Sequence, residues 1–254
     1  MADDGTRGGP GTDRHALVTG CSSGIGRAIA GFLSAEGWRV TGLSRRAVDL
    51  GEGFSWLGCD LSVPGDVAAA VPDVGPGDAI VPAAGFQAAA PPGRLDPAAL
   101  EGMFAVHVGA AAALVDALVD RLSDGGRIVL IGSRTAVGVA GKSQYAATKA
   151  AQVALARSWA AELAPRGVTA NVVAPGPTDT PMLADPARAS SAPVVPPLGA
   201  LVAPGAVAAL VAFVLGPHGR SITGQASSSA AAPRSERGRG TASCPESEDR
   251  PALF

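Results

Sequence analysis

The 254-residue chain carries 47% hydrophobic and 17% charged residues at a net charge of −2, which suits one folded α/β domain or two small ones and excludes a disordered polypeptide. That balance draws the chain neither to nucleic acid nor to an anionic membrane surface. Gly, Pro or a charge breaks each apolar stretch short of the roughly 18 residues of a membrane span, and residues 1–13 lack the apolar core of an export signal.

After a solvated tail over 1–13, residues 14–20 (RHALVTG) predict a strand and 26–36 a helix that ends at Gly37. Residues 38–43, 54–59 and 78–81 predict three more strands. A long helix follows over about 97–122, with Asp96 suited to its cap and Pro97 to its first turn. Then come a strand at 127–131, a helix at 143–163, a strand at 168–174 and a last helix at 204–215. Strands this apolar, alternating with helices, predict a single-domain α/β fold over 14–225: a doubly wound parallel sheet with helices on both faces. Ligands in such sheets bind beyond the carboxyl ends of the strands. Residues 226–254 lack periodicity and balance four arginines against four acids, the pattern of a disordered tail. Cys21, Cys59 and Cys244 stand at no metal-ligand spacing, so the expectation is a reducing, cytoplasmic setting and no metal site.

Beyond the first strand lie Gly20, Cys21, Ser22, Ser23, Gly24, Ile25 and Gly26. Glycines at 20, 24 and 26 permit a tight turn and let a pyrophosphate approach the backbone, with the helix amides facing the anion. No Gly-Lys-Ser/Thr follows, which excludes a P-loop. A plain glycine turn is the simpler alternative. Tyr145 is the only tyrosine, and Lys149 is one of two lysines against 18 arginines. Four residues apart on a helix, they share one face. A lysine ammonium beside a tyrosine stabilises its phenolate, which suits the pair to proton transfer at a carbonyl or alcohol. Ser133, directly after residues 127–132 at the carboxyl end of a central strand, supplies a hydroxyl for the substrate oxygen; Ser143 is the competing hydroxyl.

A TGxxxGIG loop followed about 120 residues later by YxxxK resembles the short-chain dehydrogenase/reductase family, and the resemblance runs from about 14 to 225. It implies a Rossmann-like sheet holding a nicotinamide dinucleotide, a homodimer or homotetramer, and a Ser133–Tyr145–Lys149 catalytic set. It further assigns Asp60 and Leu61 to the adenine, Ala84 and Gly85 to the end of the family's NNAG motif, and Pro175, Gly176, Thr178 and Thr180 to the nicotinamide. NAD enzymes place a ribose-binding carboxylate after the second strand; here Ser44 stands in that place and Arg45 follows. Losing the acid and gaining a guanidinium favours the 2′-phosphate of NADP(H) over NAD(H), although two arginines on a solvated loop would read the same way.

The chain departs from the family at three places. His107 replaces an asparagine of the proton relay, and is either a relay through its carbonyl or ring or a half-buried helix residue. Pro82 and Ala83 replace the paired asparagines of NNAG. After Gln225 the family has an apolar strand and a glycine pair, whereas this chain reads ASSSAAAP. In GC-rich codons a one-base shift of frame there yields Leu-Val-Val-Gly-Gly-Gly-Ala, so the tail is either frame-shifted or divergent. Three functions follow: an NADP(H)-dependent ketone reductase or secondary-alcohol dehydrogenase, a 3-oxoacyl-thioester (acyl-carrier-protein) reductase, or a dinucleotide-binding sensor or scaffold without turnover.

Overall fold

A computed structural model describes residues 14–183, 196 and 198–229. The strands are β1 (His15–Thr19), β2 (Arg39–Ser44), β3 (Phe54–Gly58), β4 (Gly77–Val81), β5 (Leu122–Ile131), β6 (Thr169–Pro175) and β7 (Ala226–Ser229). They form one parallel sheet in the order β3-β2-β1-β4-β5-β6-β7. Every residue of β1 and β6 is buried, because helices cover both faces of the sheet, and the polar side chains His15, Thr19 and Asn171 find hydrogen-bond partners. The strand order reverses between β1 and β4, which opens a crevice at the carboxyl ends of the strands.

Helices α1 (Gly24–Ala35) and α6 (Pro204–Leu215) close one face, where Ile29, Leu33, Val207 and Val211 share a core with β1, β4 and β5. On the other face lie α2 (Pro64–Ala70), α4 (Ala110–Leu118) and α5 (Ser143–Glu162). There Val67, Leu114, Leu118 and Ala160 pack on Leu17, Ile80 and Ile128. The predicted elements stand within a few residues of their expected limits. Two turns of α2 were not predicted, since seven residues carry too little periodicity to register.

Three expectations change. The long helix is interrupted: α3 (Pro97–Phe104) passes into a π-helical turn, Ala105–Gly109, before α4 resumes. Asp96 caps α3 as expected, accepting the Ala98 N–H at 3.0 Å. The stretch Pro97–Arg121 is, by length and composition, apolar enough to cross a membrane at mean hydropathy 1.8, contrary to the reading that every apolar run is cut short. Its apolar side chains Met103, Leu114, Val115 and Leu118 are buried in the protein core. Thirdly, the sheet runs past residue 225. Val172 N–H donates to the Gln225 carbonyl at 2.8 Å, and the Asn171 amide reaches the Ile222 carbonyl and the Gln225 N–H. Ala226–Ser229 then pairs with Val172–Pro175. Serines form this strand because the ladder needs only backbone groups. Residues 230–254, with both readings of the tail, lie outside the described residues.

A chain ending at Gln225 should therefore unfold more easily, since β6 would lose about two or three ladder hydrogen bonds worth ~1 kcal/mol each. The expected fall in melting temperature is about 5–10 °C. A chain carrying Leu-Val-Val-Gly-Gly-Gly-Ala after Ala226 should melt above both. Calorimetry of the three checks the order.

Candidate active site

The loops leaving β1 to β6 at their carboxyl ends line a single cleft of roughly 1120 Å³. Its outer half is built on the glycine loop. Gly20 has φ +69, and a Cβ there would sit 2.8 Å from the Ala84 Cα; a Cβ on Gly26 would meet the Gly20 carbonyl oxygen at 2.5 Å. The loop thus packs against the β4 end at backbone contact. Ser23 caps α1 without a side-chain hydrogen bond, so the first-turn amides stay available to an anion. Thr19 fastens the two loops: its Oγ1 accepts the N–H groups of Ala83 and Ala84 at 3.0 and 2.9 Å. That hydroxyl does bracing work lost with the asparagines of NNAG, and sequence reasoning passed over it.

At the end of β2, Ser44 is buried and Arg45 exposed. The Ser44 hydroxyl donates to the Arg46 carbonyl at 2.8 Å and accepts from Trp56 Nε1 at 3.0 Å. Residues 44–46 carry no carboxylate, and the nearest one lining this part of the cleft is Asp60, which feels the Arg45 charge. Asp60 folds its carboxylate onto the backbone N–H and hydroxyl of Ser62, and those bonds hold its carboxyl below the usual range. Leu61 is buried beside it. Across the cleft, Pro175 ends β6, Thr178 donates to the Gly176 carbonyl at 2.9 Å, and Thr180 Cγ2 stands 3.4 Å from where a Cβ on Gly24 would lie. The residues anticipated for a dinucleotide thus line one continuous wall, with Ser22, Ile25 and Gly85 among them.

The inner half holds Ser133, Tyr145 and Lys149. Ser133 follows β5 and caps a short 3-10 turn: its Oγ accepts the Thr135 N–H at 3.1 Å and donates to Thr135 Oγ1 at 3.0 Å. Tyr145 and Lys149 lie one turn apart on α5, with Nζ 5.7 Å from the ring centroid. Lys149 is 4% exposed. Its ammonium donates to the Ile131 carbonyl at 2.9 Å and to Gln152 Oε1 at 3.1 Å. Burial pulls its pKa down to about 7, because a cation loses its hydration there. Ser143, the other hydroxyl considered, is the first residue of α5 and is absent from the lining of the cleft.

His107 is fully buried in the π-helical turn. Phe86 N–H donates to its Nε2 at 3.1 Å, so the proton sits on Nδ1 and points to Thr148 Oγ1 at 2.8 Å; Thr148 in turn donates to the Tyr145 carbonyl at 2.8 Å. Burial, aided by the Lys149 charge, holds this imidazole neutral, its pKa well below the ordinary value. Both ring nitrogens are therefore engaged, Nε2 by the Phe86 N–H and Nδ1 by the Thr148 hydroxyl. The ring also explains Gly85, where a Cβ would come within 2.8 Å of Nε2. Thr148 and Gln152 were missed by sequence reasoning, although two polar residues on the Tyr145–Lys149 face of an Ala-rich helix are a visible signal. Among the described residues no three His, Cys, Asp or Glu side chains cluster for a metal.

Residues 14–190 match the protein family described as short chain dehydrogenase. The short-chain reductase protein NovJ of Streptomyces niveus is 32% identical over 235 residues, which span 83% of this chain and 90% of that protein. The 3-oxoacyl-[acyl-carrier-protein] reductase FabG of Salmonella typhimurium is 33% identical over 227 residues, 83% of this chain and 93% of its own length. Among solved structures, a short chain dehydrogenase from Burkholderia cenocepacia in complex with NADP superposes with a TM-score of 0.77. That protein is 35% identical, and the match covers 87% of this chain and 97% of that one.

The buried lysine makes stability depend on pH in a defined direction. Its folded pKa of about 7 lies below the ordinary 10.5, so between those values the unfolded chain binds a proton that the folded chain does not. Stability should then rise with pH across this window, by up to about 1.4 kcal/mol per unit. Chemical denaturation of wild-type and Lys149→Met at pH 7.5 and 9.5 tests this. The variant should be the more stable at the lower pH by a margin that shrinks at the higher one, and a constant margin would show that Lys149 is not desolvated.

Proposed function

The chain belongs to the short-chain dehydrogenase/reductase family of NAD(P)-dependent oxidoreductases, and on that premise we propose that it is an NADP(H)-dependent enzyme acting on ketones or secondary alcohols. The observation that carries this reading is the set Ser133, Tyr145 and Lys149 at the inner end of a cleft whose outer end is the glycine loop. A nicotinamide dinucleotide, when bound, supplies or accepts the hydride. Tyr145 gives its phenolic proton to the developing alkoxide in reduction and takes it back in oxidation. The Lys149 ammonium favours the phenolate left behind. Ser133 can turn its hydroxyl hydrogen from Thr135 to the substrate oxygen and so orient the carbonyl. His107 acts as a brace for Tyr145.

The preference for NADP(H) rests on Ser44 and Arg45. A serine whose hydroxyl is already engaged presents no negative charge to a 2′-phosphate, and the exposed guanidinium beside it can bind one bidentately. The NADP bound to the Burkholderia protein agrees with this. On the substrate side the cleft is rimmed by Phe86, Val137, Val139 and Met182, which suits an uncharged, largely apolar ketone. Arg134 and Lys142 line the same mouth, and that pair favours a second reading: a 3-oxoacyl-thioester reductase whose acidic carrier protein approaches these cations. A sensor without turnover gains nothing from a desolvated lysine beside a tyrosine. The described cysteines, Cys21 and Cys59, are free and buried, in keeping with a cytoplasmic setting, and the family resemblance suggests a homodimer or homotetramer.

A panel of ketones, secondary alcohols and 3-oxoacyl thioesters, followed at the nicotinamide absorbance with each cofactor, tests the activity. Cofactor binding with no turnover on any of them would favour the sensor. Tyr145→Phe should cut kcat by about 10²–10⁴-fold while NADPH affinity holds; a variant keeping a tenth of wild-type kcat would remove Tyr145 from the chemistry.

Arg45→Ala should weaken NADPH by about 1.5–3 kcal/mol and NADH hardly at all. Titration of both cofactors decides it, since equal losses would make Arg45 an ordinary surface charge.

A further inference from the structure

Gln152 is a polar side chain where none is needed for packing. It lies on the buried face of α5 in line with Ala156 and Ala160, and only 1% of its surface is exposed. A methionine or leucine would fill the same volume with no polar group to satisfy. Yet both ends of the amide are used. Oε1 accepts from Lys149 Nζ at 3.1 Å, and Nε2 donates to the His107 carbonyl at 2.9 Å. The amide has only one workable orientation, because an ammonium can only donate and a carbonyl can only accept. The π-helical turn brings the His107 carbonyl into reach, and the buried ring of His107 keeps that turn in place.

We propose that Gln152 is a positioning residue which, anchored on the His107 carbonyl, holds the Lys149 ammonium in register with Tyr145. The proposal rests on the oxidoreductase reading only in taking Lys149 to act on Tyr145. Two of the three ammonium hydrogens are fixed by Ile131 and Gln152, which leaves one for the cleft. The remaining surroundings offer little else. The titratable groups facing Lys149 are Tyr145 on its own helix and His107 on the π-helical turn. Strand β6 carries no acid, and the one acid of β5, Asp124, is exposed at that strand's far end. With no carboxylate beside it among the described residues, the Gln152 amide oxygen is the side-chain acceptor that favours the charged form of the amine. Its dipole is fixed by the far end of the same amide, so the acceptor cannot rotate away.

The composition of the chain permits a direct test without any substrate. With two lysines and a single tyrosine, protein labelled with 13C at lysine Cε and tyrosine Cζ gives one resonance for Tyr145 and two for lysine, assigned by Lys142→Arg. Their titrations would be followed by NMR in the wild type, Gln152→Met and Gln152→Glu. In Gln152→Met the Lys149 midpoint should fall by about one pH unit or more, since a hydrogen bond to the charged form is lost. The Tyr145 midpoint should rise with it. In Gln152→Glu the Lys149 midpoint should move the other way. A residue that merely fills space would change the melting temperature and leave these midpoints alone. Unchanged Lys149 midpoints in both variants, or shifts of the same sign, would overturn the proposal. Should Gln152→Met not fold, Gln152→Leu takes its place with the same fall expected, and an unchanged Lys149 midpoint there would overturn the proposal. The titrations need no turnover, so their outcome is independent of whether any ketone proves to be a substrate.

Discussion

A lysine amine in the interior, with no carboxylate beside it among the described residues, is the constraint around which the inner half of the cleft is arranged. Removing a cation from water is expensive, and a pKa drawn down to about 7 registers that expense. The compensation comes from oriented oxygens. The Ile131 carbonyl is available because β5 ends there, and Gln152 supplies the second acceptor only because His107 holds its other end. The lysine thereby ties the last residue of a central strand, the middle of α5 and the interruption in the long helix to one point. An ion pair would hold the charge more firmly, but it would also cancel the field that the ammonium exerts on Tyr145.

The outer half is governed by a different requirement, the close approach of backbone to backbone. Gly20 touches the Ala84 backbone, and Gly26 touches the Gly20 carbonyl, so the chain admits no Cβ at either place. Thr19 then fixes the spacing with two N–H bonds to one hydroxyl. This arrangement explains how Pro82 and Ala83 can stand where polar residues would otherwise brace the sheet. The brace comes from β1 across to the β4 loop, a route that no local reading of residues 82–85 can disclose.

Much of this was legible in the sequence, and the limits have physical causes. Strands β1, β4 and β6 declare themselves by unbroken apolar runs, and the glycine loop and the Tyr145–Lys149 spacing declare the site. What stayed hidden depends on contacts distant along the chain. Gln152 meets His107 across 45 residues and Thr19 meets Ala84 across 65; each is an ordinary polar residue until the fold brings its partner near. The π-helical turn was invisible for a related reason, since Ala105–Gly109 continues the helical pattern without any breaker. Strand β7 was lost because its residues look like linker, while its pairing is dictated by Asn171 on the strand beside it.

His107 is a buried imidazole with a hydrogen bond at each ring nitrogen. Its Nε2 accepts the Phe86 N–H, so protonating the ring would first break that bond. Lys149 nearby makes the second cation still less favourable. The imidazole is consequently a neutral strut with a defined direction, donor toward Thr148 and acceptor toward Phe86. Through Thr148 it reaches the Tyr145 carbonyl, and through its own carbonyl it reaches Gln152 and then Lys149. The wall that carries Phe86 and the helix that carries Tyr145 are thus joined by one chain of hydrogen bonds. Tyr145 and Lys149 are thereby tied to the same π-helical turn, one through Thr148 and the other through Gln152.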